Sequence, residues 1–92
     1  MEATKTLFEK AAKAVKDNAK EFDKRKDEEK LEVYSLFKQS TVGDVNTPEP
    51  GMFAMKEKAK WKAWSSKKGM SKEDAMKAYV ELAKKYLPAA GI

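Results

Sequence analysis

Residues 71–88 read SKEDAMKAYVELAKKYLP, and this stretch predicts an α-helix with one apolar face. Its larger apolar side chains recur at steps of four, three and four, which places them on one side of a helix: Ala75, Tyr79, Leu82 and Tyr86. Ser71 can cap the first turn, with Asp74 three residues later as in a capping box. Pro88 ends the helix because it has no N–H for the next hydrogen bond. A helix of this kind must bury its apolar face against other elements.

The same periodicity predicts three further helices upstream of this one. The first runs from about Ala3 to Ala19. The second runs from Asp27 to about Val42, where Gly43 can form a left-handed C-terminal cap. The third runs from Lys56 to about Lys68.

Two connections of different character join these helices. Glu21 to Lys30 is almost wholly charged apart from Phe22, and it is predicted to be a solvated connection that runs into the first turn of the second helix. Gly43 to Gly51 is rich in glycine and proline and is predicted to be the one long loop. Four helices with one long connection predict an all-α four-helix bundle in which two helices cross. A chain of 92 residues fits a single domain, residues 1–92.

Composition excludes much of enzyme chemistry. The chain has no histidine and no cysteine, so the commonest general base, thiol nucleophiles and the usual zinc ligands are missing. The acids are scattered among lysines at helical spacing and form no calcium-binding loop. We therefore predict no enzymatic activity, no catalytic residues, no metal and no cofactor. The sequence shows no export signal and no transmembrane stretch, which favours a cytoplasmic location.

Positive charge is concentrated in the third predicted helix. Residues 56–68 contain six lysines and one glutamate, a net charge of +5, which equals the formal charge of the whole chain. Nineteen of the twenty basic residues are lysine, whereas base recognition in DNA favours arginine. Sequence-specific DNA binding is therefore disfavoured. A phosphorylated metabolite, non-specific nucleic acid and an anionic membrane surface remain open.

Aromatic side chains accompany the lysines. Tyr34, Phe37 and Lys38 stand at i, i+3 and i+4, so two rings and one ammonium group can share a helix surface where a planar base could lie. Lys56 and Lys60 are one turn apart and could hold phosphates.

The other large aromatic residues fit the core. Trp61, Trp64 and Tyr79 are predicted to pack inside the bundle, where the Tyr79 hydroxyl would need a hydrogen-bond partner.

Several stretches resemble the acyl-CoA-binding proteins: YSLFKQSTVGDVN at 34–46, PGM at 50–52, KEKAKWKAW at 56–64 and SKEDAMKAY at 71–79. The resemblance extends from Phe8 to Tyr86. It implies a small up-down-down-up four-helix bundle that binds long-chain acyl-CoA esters without converting them. It also implies that the protein keeps a pool of these esters and carries them between membranes and enzymes.

The resemblance also assigns ligand-binding positions. Tyr34, Lys38 and Lys60 match the residues that bind the CoA head group, and Lys56 would lie near the phosphates. Lys16 matches a first-helix lysine at the mouth of the ligand groove. The partner implied is the small-molecule ligand, with transient contact with membranes and acyl-CoA-using enzymes, no nucleic acid, and a monomeric state.

Tyr79 matches a last-helix tyrosine that contacts the ligand.

Two features of the sequence depart from the family pattern. Phe37 stands where the family usually has tyrosine, so its ring can stack on adenine while the phenolic hydroxyl is missing. The segment from Phe22 to Asp27 is longer than in short members and lacks their usual proline. This segment could reshape the rim of the acyl groove.

Two other functions compete with acyl-CoA binding. The +5 segment could make the protein a non-specific anion-binding or membrane-surface-binding helical module. A thioesterase or isomerase ranks last, because it would need an activated nucleophile or base and the chain lacks histidine and cysteine.

Overall fold

The computed structural model describes residues 3–90 and residue 92, and every regular element in that part of the chain is helical. The elements are α1 Thr4–Asp17, α2 Ala19–Asp23, α3 Asp27–Thr41, α4 Met55–Ser65, α5 Lys72–Tyr86 and a 3₁₀ turn at Pro88–Ala90. The four long helices confirm the predicted all-α four-helix bundle. Within the described residues, each helix is too short or too polar to cross a membrane.

Helix α5 packs against both α1 and α3, and α3 also packs against α4. The core lies mainly between α1, α3 and α5, and its buried residues are Phe8, Ala11, Val33, Leu36, Ala75, Tyr79, Val80 and Ala83. This arrangement confirms that the apolar face of residues 71–88 is the inner face of the last helix.

Helices α3 and α4 run parallel, because like ends of the two helices meet. Lys30 and Leu31 near the start of α3 line one cavity together with Lys56 near the start of α4. At the other end, Trp64 near the end of α4 bonds to Gly43 just beyond α3. Helix α5 runs the other way, since Gln39 near the end of α3 bonds to Met70 before α5 begins. Phe8 in the first half of α1 stacks on Phe37 in the second half of α3, so α1 is antiparallel to α3 and the topology is up-down-down-up.

The first connection differs from the prediction. Glu21 to Lys30 was expected to be a solvated connection, but α2 covers Ala19–Asp23. Asn18 interrupts the first helix: its side-chain amide donates to the Ala14 carbonyl at 2.8 Å, and its own carbonyl accepts from the Phe22 N–H at 3.0 Å. Phe22 packs against the core. Burial of this one apolar ring in a charged run explains why the segment folds into a helical turn.

Helix termini largely follow the sequence signals. The Ser71 hydroxyl accepts a hydrogen bond from the Asp74 N–H at 3.1 Å, which confirms the predicted cap of α5. At the start of α3 the Glu29 carboxylate accepts from the Lys26 N–H at 3.2 Å. Helix α4 ends at Ser65, three residues earlier than predicted.

The long loop between α3 and α4 is fastened to α4 by both tryptophans. The Trp64 indole N–H donates to the Gly43 carbonyl at 2.8 Å, and the Trp61 indole N–H donates to the Thr47 carbonyl at 2.8 Å. Gly43 has a φ of +97°, which glycine adopts without the strain that a side chain would cause. Lys58 also forms an ion pair with Glu49 at 3.3 Å. The loop thereby carries the chain back so that α4 can start beside the start of α3.

Candidate ligand-binding site

A cavity lies between α2 and the N-terminal parts of α3 and α4. Its volume is about 480 Å³, within the range of small-molecule sites. We call it the α3–α4 cavity, and its lining residues are Phe22, Asp23, Asp27, Lys30, Leu31, Tyr34, Lys56, Ala59 and Lys60. Apolar side chains therefore lie beside ammonium groups and one phenol ring.

Tyr34 and Lys60 form the clearest polar feature of the cavity. The Lys60 ammonium lies over the Tyr34 ring, 5.4 Å from its centroid, a distance at which a cation is attracted to the ring face. Lys56 lines the same cavity one turn earlier on α4. Two ammonium groups beside an accessible ring can bind a ligand that carries both anionic groups and a planar base.

Acidic residues balance part of this charge on the opposite wall. Asp23 and Asp27 line the cavity from α2 and the start of α3. Lys30 lies between them: its ammonium is 3.6 Å from the Asp27 carboxylate and 3.5 Å from the Asp23 carbonyl oxygen. The unbalanced positive charge of the cavity is therefore on the α4 wall, at Lys56 and Lys60.

Lys38 lies outside the cavity lining. Its ammonium is 4.8 Å from the centroid of the Trp64 ring, toward the C-terminal ends of α3 and α4. Lys38 is half-buried, and its ammonium lies against a ring of α4 that is not part of the cavity lining.

Phe37 lies in a cluster of three aromatic rings with Phe8 and Tyr79. The Phe37 centroid is 5.9 Å from that of Phe8 and 6.0 Å from that of Tyr79. The Phe8 and Tyr79 rings meet edge to face at 5.0 Å, a preferred aromatic geometry. We call these residues the ring cluster. Phe37 is 38% exposed and forms its outer surface, whereas Tyr79 is buried.

Burial also affects the acid–base behaviour of Tyr79. Loss of hydration raises the pKa of its phenol to about 12, because a buried phenolate would be poorly solvated. Tyr79 is therefore neutral throughout the physiological range and acts through its ring and a protonated hydroxyl.

The structure thus brings together three of the seven predicted site residues. Tyr34, Lys56 and Lys60 line the α3–α4 cavity. Phe37 and Tyr79 lie together in the ring cluster, and Lys38 lies over Trp64, as described above. Lys16 is exposed in the last turn of α1 and is not part of the cavity lining.

Three apolar lining residues were not singled out from the sequence as site residues: Phe22, Leu31 and Ala59. Phe22 carried a signal, because it is the only aromatic residue in a charged run. Leu31 and Ala59 carried none, since an apolar helix residue that faces a cavity has the same periodicity as one that faces the core.

The part of the chain that the structure describes contains no group of three or more histidine, cysteine, aspartate or glutamate residues that could hold a metal ion. The lining of the cavity itself offers ammonium groups, aromatic rings, carboxylates and apolar surface.

Comparisons with known proteins identify the family of this chain. The chain matches the family model described as "Acyl CoA binding protein" over residues 5–83. It is similar to acyl-CoA-binding protein homolog 1 of Caenorhabditis elegans, with 55% identity over 64 residues, which are 70% of this chain and 74% of that protein. The chain belongs to the acyl-CoA-binding protein family, which confirms the resemblance found in the sequence.

Solved structures of acyl-CoA-binding proteins have the same fold as this chain. Acyl-CoA-binding protein 2 of Oryza sativa superimposes with a TM-score of 0.86 at 40% identity, covering 96% of this chain and 94% of that one. The acyl-CoA-binding protein of Moniliophthora perniciosa superimposes with a TM-score of 0.83 at 38% identity, covering all of this chain and 88% of that one.

Proposed function

We propose that this protein binds long-chain acyl-CoA esters without converting them, and that it pools and transports them inside the cell. Membership of the family supports this function, because acyl-CoA-binding proteins are non-catalytic carriers of that ligand. The observation that carries the proposal at the level of residues is the Lys60 ammonium over the Tyr34 ring at the edge of the α3–α4 cavity.

Each part of the ligand has a matching part of the site. Lys56 and Lys60 would hold phosphates, as lysines do when they act as point charges. The Tyr34 ring offers a flat face to adenine. Phe22, Leu31 and Ala59 would cover part of the acyl chain, and each methylene removed from water contributes about 0.8 kcal/mol. Affinity should therefore rise with chain length until the apolar surface is filled.

The remaining predicted residues are proposed to act at the edges of the site. Lys38 would add a third ammonium group toward the C-terminal ends of α3 and α4. Phe37 is 38% exposed and would contact the ligand through its ring. Tyr79 is buried against Phe37, so its proposed contact with the ligand would be limited to the small part that remains accessible. Lys16 would approach the groove mouth from α1.

Calorimetric titration tests the proposal directly. We expect palmitoyl-CoA to bind more tightly than free CoA, which lacks the acyl chain, and more tightly than palmitate, which lacks the head group. Equal affinity for palmitate and palmitoyl-CoA would contradict a site that recognises the nucleotide. Absence of binding to all three would overturn the proposed function.

A module that binds anions only through diffuse charge gains no support from the comparisons. A salt series separates the two functions, because binding by counterion release falls steeply between about 50 and 200 mM salt. We expect palmitoyl-CoA to bind more tightly than a short-chain acyl-CoA across that range, since the burial of apolar surface is insensitive to screening by salt.

We further propose that residues 1–92 form one acyl-CoA-binding domain, that the protein acts as a monomer in the cytoplasm, and that it contacts membranes and acyl-CoA-using enzymes transiently. A four-helix unit whose ligand is held by a single chain needs no second subunit. Sedimentation velocity with and without palmitoyl-CoA would test the monomeric state, and a shift to dimer mass would contradict it.

A further inference from the structure

Three large apolar side chains project into solvent just before and at the start of α4. Phe53 is 94% exposed, Met55 is 77% exposed and Met52 is 71% exposed. Single exposed apolar residues are common on protein surfaces, but a contiguous set marks an interaction site. We call residues 52–55 the docking tip.

The exposure of the docking tip is maintained by backbone bonds. The Ala54 N–H donates to the Gly51 carbonyl at 3.0 Å, and the Ala54 carbonyl accepts from the Lys58 N–H at 2.8 Å. The ion pair between Lys58 and Glu49 holds the preceding loop against the first turn of α4. These contacts hold the backbone of the turn that carries the three exposed apolar side chains.

Positive charge flanks the docking tip on the helix that follows it. Lys56, Lys60 and Lys62 are exposed within two turns of the tip. Of the neighbouring acids, Glu49 is paired with Lys58 and Glu57 is exposed. The acidic residues of the cavity, Asp23 and Asp27, lie on the opposite wall. The surface around the tip therefore combines exposed apolar groups with a net excess of ammonium groups.

We propose that the docking tip inserts into the surface of anionic lipid bilayers and thereby sets the α3–α4 cavity against the headgroup layer. Apolar side chains buried at the headgroup boundary and lysines near anionic lipids are the two features by which proteins lie on membranes. Lys56 and Lys60 belong to the cavity wall, so a docked protein would take up or release its ligand at the lipid surface. This inference rests on the proposed function for the role of the cavity.

Vesicle sedimentation tests the docking tip. We expect the protein to pellet with vesicles of equimolar phosphatidylcholine and phosphatidylserine and to remain largely in solution with phosphatidylcholine alone. Phe53→Ser should lower the partition coefficient about tenfold, because it removes one apolar ring from the lipid contact. Val42→Ser is the control. Val42 is an exposed apolar residue just beyond the C-terminal end of α3, away from the docking tip, and its replacement should leave partitioning unchanged.

Calorimetry with palmitoyl-CoA separates this inference from the proposed function. Phe53→Ser should keep the affinity of the parent protein within about twofold, because Phe53 does not line the cavity. If palmitoyl-CoA binds but Phe53→Ser pellets like the parent, the docking tip alone is wrong. If the parent binds no palmitoyl-CoA, the proposed function fails whatever the vesicles show.

Three further outcomes would contradict the proposal for the docking tip. A parallel loss of ligand affinity in Phe53→Ser would assign the tip to the acyl-CoA site. Self-association of the parent that Phe53→Ser abolishes, measured by sedimentation velocity without lipid, would make the tip a contact between two copies of the chain. Equal partitioning into both kinds of vesicle would remove the role of the lysines.

Discussion

The two ends of the parallel α3–α4 pair are built in opposite ways. At the C-terminal end, which we call the closed end, polar groups bond to one another. The Gln39 amide donates to the Asp44 carboxylate at 2.9 Å and to the Met70 carbonyl at 2.8 Å. The same carboxylate accepts from the Gly69 N–H at 2.9 Å. At the N-terminal end, the open end, Lys56 and Lys60 face the cavity.

Because of this difference, we expect substitutions at the closed end to change the stability of the fold and substitutions at the open end to change ligand affinity. The Gln39 amide nitrogen, the Asp44 carboxylate and the Trp64 indole have partners within the chain, although the buried Gln39 Oε1 accepts no hydrogen bond. Removal of the bonded groups should lower the free energy of unfolding. The ammonium groups of the open end lie over a ring or in solvent, so their removal should lower ligand affinity instead. Each prediction below tests one side of this separation.

The largest effect is expected from Trp64→Ala at the closed end. Trp64 is buried, its indole N–H bonds to Gly43 and its ring lies under the Lys38 ammonium. Truncation of a buried tryptophan costs about 3–5 kcal/mol. Urea unfolding followed by circular dichroism should show a loss of that size in the free energy of unfolding.

Trp61→Ala provides the matched control. Trp61 is half-buried and bonds to Thr47 in the middle of the loop, so its removal should cost less than half as much. Equal losses for the two variants would mean that the loop as a whole, and not the closed end, determines stability.

Lys60→Ala should give the next largest effect, on ligand affinity. A contact between an ammonium group and a charged acceptor is worth about 1.5–3 kcal/mol, so the Kd for palmitoyl-CoA should rise about tenfold to a hundredfold. The free energy of unfolding should change by less than about 0.5 kcal/mol, because Lys60 is exposed.

Lys68→Ala removes an equal charge at the last residue of the lysine-rich segment, residues 56–68. Lys68 lies beyond the last residue of α4, and its loss should change the Kd less than about threefold at physiological salt. Comparable losses from Lys60→Ala and Lys68→Ala would show that diffuse charge binds the ligand.

A smaller effect is expected from Phe37→Tyr. Phe37 is 38% exposed at the outer surface of the ring cluster, so we expect an added hydroxyl to reach solvent or ligand. A hydrogen bond worth about 1 kcal/mol would tighten binding about fivefold. Calorimetry with free CoA should show the same gain as palmitoyl-CoA, since the hydroxyl would act on the head group. Unchanged affinity for both would mean that the hydroxyl has no partner.

The helices could be predicted from periodicity, whereas the division of residues between sites could not. Tyr34, Phe37 and Lys38 stand on one side of α3, as their spacing predicted. Three residues along a helix still correspond to about 60° around its axis. Because α3 packs against both α4 and α5, that angle sends Tyr34 toward Lys60 and Phe37 toward Tyr79.

Contacts between residues distant in the sequence also explain why α2 and the cavity were not predicted. A single ring such as Phe22 does not reveal whether its neighbours in the chain are helical, since that depends on the core it packs against. By contrast, the cap at Ser71 involves only Asp74, a near neighbour in the sequence, and it could be predicted. Local signals were sufficient where the interaction was local.

The smallest effect is expected from Asp44→Asn at the closed end. The Gly69 N–H, followed by the Gln39 amide, lowers the pKa of Asp44 below its usual 3.8, because both donate to the charged form. The ionised carboxylate therefore stabilises the fold above pH 3.8, and this contribution disappears as the pH falls through the lowered pKa. Asparagine keeps an accepting oxygen but no charge. Its deficit relative to the parent protein should be present at neutral pH and vanish in strong acid.

Asp44→Ala sharpens this test of the closed end. Alanine removes the acceptor itself, so the Gly69 N–H and the Gln39 amide both lose a partner at every pH. Its deficit in urea unfolding should therefore persist in acid, where the parent carries a neutral carboxyl group whose oxygen can still accept. If the deficit of Asp44→Asn is the same at neutral and at acidic pH, the charge of Asp44 contributes nothing and only the hydrogen-bond geometry of the closed end matters. If the Asn deficit grows as the pH falls, the direction of the pKa shift is wrong.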